Sequence, residues 1–367
     1  MGISPNSPSR RLIFAQRRIP RRKPRNFERA STGGAPVIRV HLIARDNGAG
    51  LSRDLEILKR VIAAAGFELT VSAIGAGGVR RFITRMRVRT ALASRARRDG
   101  AAFGKFDVIL MDEHLRPEYA PLARRNVLMP HPEWFDVAWT RELRVIDRVF
   151  AKTRHAVPLF EALGCRTDFV GFTSFDRLLR DVAREPTFFH LGGRSGNKGS
   201  QAIIDLWSRK PAWPHLTLIQ RKPLRLPATM PANVRLIDDY LDDAELQALQ
   251  NRNLFHLCPS ETEGFGHHLV EGMSVGAILL VTDAPPMNEM ITPERGVLAG
   301  YSRTGKQQLA TTYFVDPAAL EAGVERMLAF DARERRVLSE RARAWWEDND
   351  HAFGERLSRS ITSLATE

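Results

Sequence analysis

Short apolar runs alternate with amphipathic stretches along most of this chain. VIRVHLIA at 37–44 reads as a buried strand, and the glycine-bearing loop RDNGAGLS follows at 45–52. Leu51, Leu55, Leu58, Ile62 and Ala65 then recur at helical spacing, which predicts one apolar helix face ending at Gly66. FELTVSAIG at 67–75 returns to strand, and FDVILMD (106–112), RNVLMPH (125–131) and DRVFAKT (147–153) open three further strand-and-loop units. After a polar stretch at 176–186 the pattern restarts with TFFHLGGRSGNKGS at 187–200, a strand running into a glycine-rich loop, and QAIIDLWSRK opens a helix. Four more strands are predicted at 216–220, 233–237, 254–260 and 277–283, with helices at 244–251 and 268–275. Strands alternating with helices imply parallel sheets covered on both faces. Two such halves, each with a glycine loop after its first strand, imply a cleft between them, because ligands of these sheets bind beyond the carboxyl ends of the strands. A charged helical stretch at 331–363, holding Trp345 and Trp346, closes the pattern.

Composition narrows the class. A length of 367 residues suits about two domains. With 43% hydrophobic and 26% charged residues the chain is neither wholly disordered nor fibrous. The longest apolar runs, such as 275–281, are strand-sized and far short of the roughly 18 residues a membrane-spanning helix needs. Two distant cysteines, Cys165 and Cys258, exclude a disulfide scaffold and a zinc module and point to a reducing compartment. The net charge of +13 raises the question of nucleic acid. Its distribution answers it: residues 1–30 carry +8, residues 77–100 carry +7, and the rest sums to −2. A basic nucleic-acid-binding protein is therefore the weaker reading, since two local patches and no recognised module do not make an interface. Residues 1–30 read as a disordered basic tail without a secretory core. Its composition fits a mitochondrial transit peptide, whereas Asn6 breaks the myristoylation pattern.

The most informative segment is CPSETEGFGHHLVEGMSVGAILLVTDAPPMNE at 258–289. A strand ends at Ser260, the turn Gly264, Phe265, Gly266 lets backbone approach a ligand, and a helix starts near His267. The helix start presents unpaired N–H groups and a positive dipole end to an anion such as a diphosphate. Glu263 precedes the turn, and Glu271 lies about one helical turn in, where a carboxylate can accept from paired sugar hydroxyls. A capped strand–turn–helix with two solvated glutamates fits the same spacing. In GGRSGNKG at 192–199, Gly193 opens a turn flanked by Arg194 and Lys198. Two cations there suit a leaving diphosphate, on which charge builds as a glycosidic bond breaks. A surface loop with solvated charges is the plainer alternative.

Together these segments resemble the retaining GT-B glycosyltransferases of family four, with their Glu-x7-Glu signature. The order PSETEGFG, VEGMSVGA, strand, APPMNE carries the likeness, which extends more weakly over 37–340. The resemblance implies two Rossmann-like domains, a nucleotide-sugar donor, and transfer with retention to a saccharide or lipid-linked acceptor. It implies that Glu271 holds the donor ribose, Glu263 the donor sugar, and the 264–267 backbone the sugar and phosphate. It assigns Arg194 and Lys198 to the diphosphate and leaves no metal or other cofactor to be expected. It also matches the loop of Gly48 and Gly50 to the family's N-terminal glycine loop, and His131 to a histidine facing the donor sugar, with His114 as competitor. Another GT-B enzyme, an epimerase or phosphorylase, is the alternative.

Three other signals are discounted. DND at 348–350 sits in a charged helical region, DDYLDD at 238–243 reads as a loop and acidic helix start, and Ser260 lacks a nucleophile elbow. Residues 80–98 interleave apolar side chains with arginines and read either as an amphipathic helix for an anionic membrane surface or as a solvated helix. The expected organisation is a tail at 1–30, an acceptor domain at 31–178, a donor domain at 179–340 and a C-terminal helix at 341–367 crossing back to the first domain. The expected location is cytoplasmic, peripheral at the inner membrane face.

Overall fold

The computed structural model describes residues 37–45, 50–73, 86–88, 90 and 104–367. Gly48 and most of the basic stretch 80–98 lie outside the described residues, as does the tail at 1–30. The first half is a parallel sheet of β1 (Arg39–Ala44), β2 (Glu68–Ala73), β3 (Phe106–Asp112), β4 (Ala123–Met129), β5 (Arg148–Ala151) and β6 (Thr167–Phe169). Its spatial order is β2-β1-β3-β4-β5-β6. Every residue of β3 is buried, as a central strand covered on both faces requires. Helix α1 (Gly50–Ala64) buries Leu55, Leu58 and Ile62, the stripe expected from their spacing. A short helix α2 (Ala156–Glu161) follows β5.

The second half contains β7 (Glu185–Gly193), β8 (Leu216–Gln220), β9 (Val234–Ile237), β10 (Asn253–Cys258), β11 (Ile278–Thr282) and β12 (Gly296–Ala299). They are again parallel, in the order β12-β11-β10-β7-β8-β9. Chain order therefore reverses between β7 and β10, the switch point of a doubly wound sheet, where a crevice opens beyond the strand ends. Helices α3 (Ser200–Trp207), α4 (Asp243–Arg252), α5 (His267–Ser274), α6 (Met287–Met290) and α7 (Pro317–Ala329) connect and cover these strands.

One feature lies outside the sequence pattern. An antiparallel hairpin, β13 (Tyr301–Gln307) and β14 (Ala310–Val315), leaves the second half and reaches the first. There Leu309 packs on the first-half core and its N–H donates to Pro132 O at 3.2 Å. The last helix, α8 (Ala332–Thr366), starts ahead of residue 341 because Asp331 and Glu334 form a capping box. It crosses back to the first half, where Phe353, Leu357 and Ile361 are buried in one cluster with Val40, Leu58 and Phe150. Its polar side chains cap the connection between halves: Trp346 Nε1 donates to Ser174 O at 3.2 Å, and Arg356 Nε to Val170 O at 2.8 Å. Cluster members from both halves make one continuous core beside the cleft.

Candidate functional site

Loops from the carboxyl ends of both sheets meet at the switch point. The loop after β7 leads into α3, the loop after β10 leads into α5, and Glu261 N–H ties the second to Asn197 O of the first at 2.8 Å. Lys198 forms an ion pair with Glu263 Oε1, and its Nζ lies 3.4 Å from His268 Nδ1. Gly266 has φ +91°, a conformation that strains any side chain, and it sets α5 at its angle to the turn. A Cβ on Gly264 would fall 2.7 Å from the His131 ring, so the first half reaches the turn itself. Lys198, Glu263, His131 and the 264–266 turn are thus brought together. Arg194 stands exposed on the same loop, with no hydrogen-bond or ion-pair partner among the described residues, and the Gly193 backbone, at φ +58°, borders open space.

Other expected residues are placed differently from a simple cleft lining. Glu271 is 1% exposed and ties the two halves: its Oε1 accepts from Arg53 Nη1 at 2.7 Å and its Oε2 from Gln250 Nε2 at 2.9 Å. The Phe265 ring is buried, edge-on to Phe172 at 5.2 Å. His267 Nε2 donates to Asp54 Oδ1 at 2.5 Å, while its Nδ1 lies 2.7 Å from Ser174 Oγ. Gly50 is the first residue of α1. His114 lies against Trp139, ring centroids 5.9 Å apart, with Nδ1 3.8 Å from Glu113 Oε2. Asp350 of the DND run accepts from Arg60 at 2.8 Å and Thr173 at 3.0 Å, and Asp242 caps α4, both structural roles. No group of three or more His, Cys, Asp or Glu among the described residues is arranged to hold a metal ion.

Beneath His131 lies a cluster that the sequence did not announce. Lys152, fully buried at the end of β5, sits 2.6 Å from Asp54 Oδ2, 3.1 Å from Asp112 Oδ1 and 2.8 Å from His131 Nε2. It also lies 4.3 Å over the Phe172 ring. Burial alone would lower the Lys152 pKa, but Asp112 and Asp54 outweigh it and hold the ammonium charged. Burial pushes the Asp112 carboxyl up to about 6, against the pull of Lys152. Asp54 is also buried, yet Lys152 and His267 hold its carboxyl well below the usual range. Burial and the Lys152 charge push His131 down to about 3, so its ring is neutral. An ammonium can only donate, so Nε2 of His131 is the acceptor and Nδ1 carries the proton. One signal could have found this cluster: Asp54 lies one turn before Leu58, inside the apolar stripe of α1.

Two doubly wound halves whose strand ends face each other across a cleft, with a cation–carboxylate pair at the switch point of the second, have the GT-B architecture of sugar-transferring enzymes. Residues 230–345 match the family described as Glycosyl transferases group 1. The chain carries that family's segment in its second half, on a GT-B fold. A curated relative, the GDP-mannose:cellobiosyl-diphosphopolyprenol alpha-mannosyltransferase of Xanthomonas campestris, is 32% identical over 123 residues. That stretch is 33% of this chain and spans 30% of the mannosyltransferase. A glycosyltransferase from Rickettsia africae has the same fold, with TM-score 0.69 at 10% identity over 90% of this chain and 99% of its own. Sucrose-phosphate synthase from Thermosynechococcus elongatus has TM-score 0.62 at 14% identity, over 89% of this chain and 99% of its own.

Proposed function

We propose that this protein is a glycosyltransferase that moves a sugar, with retention, from a nucleotide-sugar donor to a saccharide or lipid-linked acceptor. The observation that carries the reading is the Lys198–Glu263 pair at the switch point, with His131 of the other half closing on the turn between them. In this reading the diphosphate lies along the 193–199 loop and the start of α5. The bond from the anomeric carbon to the diphosphate oxygen breaks as the acceptor hydroxyl oxygen bonds to that carbon on the same face and gives its proton to the departing diphosphate, whose remaining charge Lys198 and Arg194 stabilise. With those cations in place the leaving group needs no metal. Glu263 and the neutral His131 hold sugar hydroxyls, and Glu271 exchanges its Arg53 contact for the ribose. The basic stretch 80–98 would hold the acceptor domain at an anionic membrane surface facing the cytoplasm, where a lipid-linked saccharide is presented. No helix among the described residues is long and apolar enough to cross a membrane.

Thermal shift with a panel of UDP-, GDP- and ADP-sugars, and with single-stranded DNA as control, tests the reading. One nucleotide family should stabilise the protein while DNA does not. Stabilisation by DNA alone would overturn it.

A further inference from the structure

Glu133 lies two residues past His131, in the short turn Pro132–Trp134 that follows β4. Its side chain is buried, yet Oε2 has no hydrogen-bond partner among the described residues. Its Oε1 closes on the second half: a Cβ on Gly264 would fall 2.8 Å from it. The turn is fixed from above by the hairpin, where Gln307 Nε2 donates to the Glu133 carbonyl at 3.2 Å and Gln307 Oε1 accepts from Asn197 at 2.7 Å. A carboxyl held this rigidly between two halves, with one oxygen unsatisfied, lacks a partner that a ligand can supply.

We propose that Glu133 contacts the donor sugar, donating a hydrogen bond from its carboxyl to a hydroxyl of the sugar held between His131 and the 264–266 turn. The inference rests on the glycosyltransferase reading and adds a sugar-contacting residue to it. The donor sugar is favoured over the acceptor because Glu133 faces the Gly264 turn of the donor half, with Glu263 and Lys198 as its charged neighbours there. Glu113 and His131 face it from the first half. Burial raises its carboxyl to about 8, and Glu263 adds to the rise against the pull of Lys198, so Glu133 enters the complex as an acid. A second carboxylate beside Glu263 would have no cation of its own, since Lys198 is paired with Glu263.

The test is titration of Glu133→Ala and Glu133→Gln with the nucleotide sugar that stabilises the wild type, and with the corresponding bare nucleoside diphosphate. Glu133→Ala should weaken nucleotide-sugar binding about tenfold, the worth of one buried hydrogen bond, and leave the bare diphosphate within twofold. Glu133→Gln keeps a donor at the same place and should bind within about threefold of wild type at pH 7. Between pH 7 and 9 the wild type should lose affinity for the nucleotide sugar and Glu133→Gln should not. Equal losses for both ligands in Glu133→Ala, or an unchanged alkaline fall in Glu133→Gln, would overturn the assignment while leaving the transferase reading intact. Failure of the wild type to bind any nucleotide sugar or diphosphate would overturn both.

Discussion

Replacing Lys152 with methionine removes the cation of the buried cluster and keeps the length of the side chain. Lys152 is 0% exposed, and its partners Asp54 and Asp112 are at most 1% exposed. Losing one member of a buried ion pair costs about 3–5 kcal/mol, because the other charge stays desolvated without compensation. Asp54 keeps His267 as a partner at 2.5 Å. Asp112 keeps nothing comparable, since its second oxygen is already without a partner among the described residues. The proton that relieves the variant must therefore go to Asp112.

The Asp112 carboxyl is raised to about 6 in the folded chain from 3.8. Between those values the folded state holds a proton that the unfolded state has released, so this group's contribution to stability falls as pH rises through about 4 to 6. Without Lys152 the folded pKa rises further, and the window moves up across neutrality. Urea denaturation followed by tryptophan fluorescence should show Lys152→Met losing about 3–5 kcal/mol at pH 8 and markedly less at pH 5. Adding Asp112→Asn should restore much of the pH 8 loss. A loss under about 1 kcal/mol at pH 8, or equal losses at both pH values, would refute the account of the cluster as a charge-compensated unit.

Glu271→Gln should weaken nucleotide-sugar binding by about 10- to 100-fold by titration, since it removes one charged acceptor of hydroxyl donors. Lys198→Ala should lower kcat more than it raises KM, and activity should persist in EDTA; strict Mn²⁺ or Mg²⁺ dependence unaffected by Lys198→Ala would contradict the leaving-group assignment. Changing Arg80, Arg81, Arg85 and Arg87 to Glu should abolish co-sedimentation with anionic liposomes at low salt, and binding that ignores lipid charge, salt and these changes would rule out membrane attachment. Phe353→Ala, at a fully buried position of α8, should cost about 3–5 kcal/mol in denaturation experiments.

What could be read from the sequence was what is local. FDVILMD and LTLIQ match β3 and β8 residue for residue, because an interior parallel strand is covered on both faces and reads as a short, mostly apolar run. The three half-buried residues of β6 have no such run. Strand β13 is exposed almost throughout, so it has no apolar pattern and is held by pairing with β14. The site divides in the same way. Lys198, Glu263 and Glu271 could be singled out because each glycine loop, with the helix it opens, lies within one short stretch of chain. His131 was singled out only through the family resemblance, whereas Asp54, Lys152 and Asp112 come from separate elements, and a buried acid in sequence looks like a solvated one. Glu133 was hidden for the same reason, since nothing in the short turn Pro132–Trp134 marks its carboxyl as buried.

The chain meanwhile uses groups of its own cleft to hold its halves together. Glu271 is tied to Arg53 and His267 to Asp54, while Glu289 of the APPMNE run accepts from the N–H groups of Arg154 and His155 at 2.8 and 2.6 Å. These ties are polar and sit around the cleft, whereas along α8 the halves share buried apolar surface through Phe172, Phe353 and Leu357. The two kinds of contact respond differently to a ligand. Apolar burial along α8 cannot be replaced by a phosphate or a hydroxyl, so it persists whether or not the site is filled. Each polar tie can be exchanged for a ligand contact of the same strength, which makes the net gain on binding smaller than the sum of the new hydrogen bonds. On the proposed reading, the donor contacts that replace no existing tie are those at the exposed Arg194 and at the unsatisfied oxygen of Glu133, and these would contribute most to affinity.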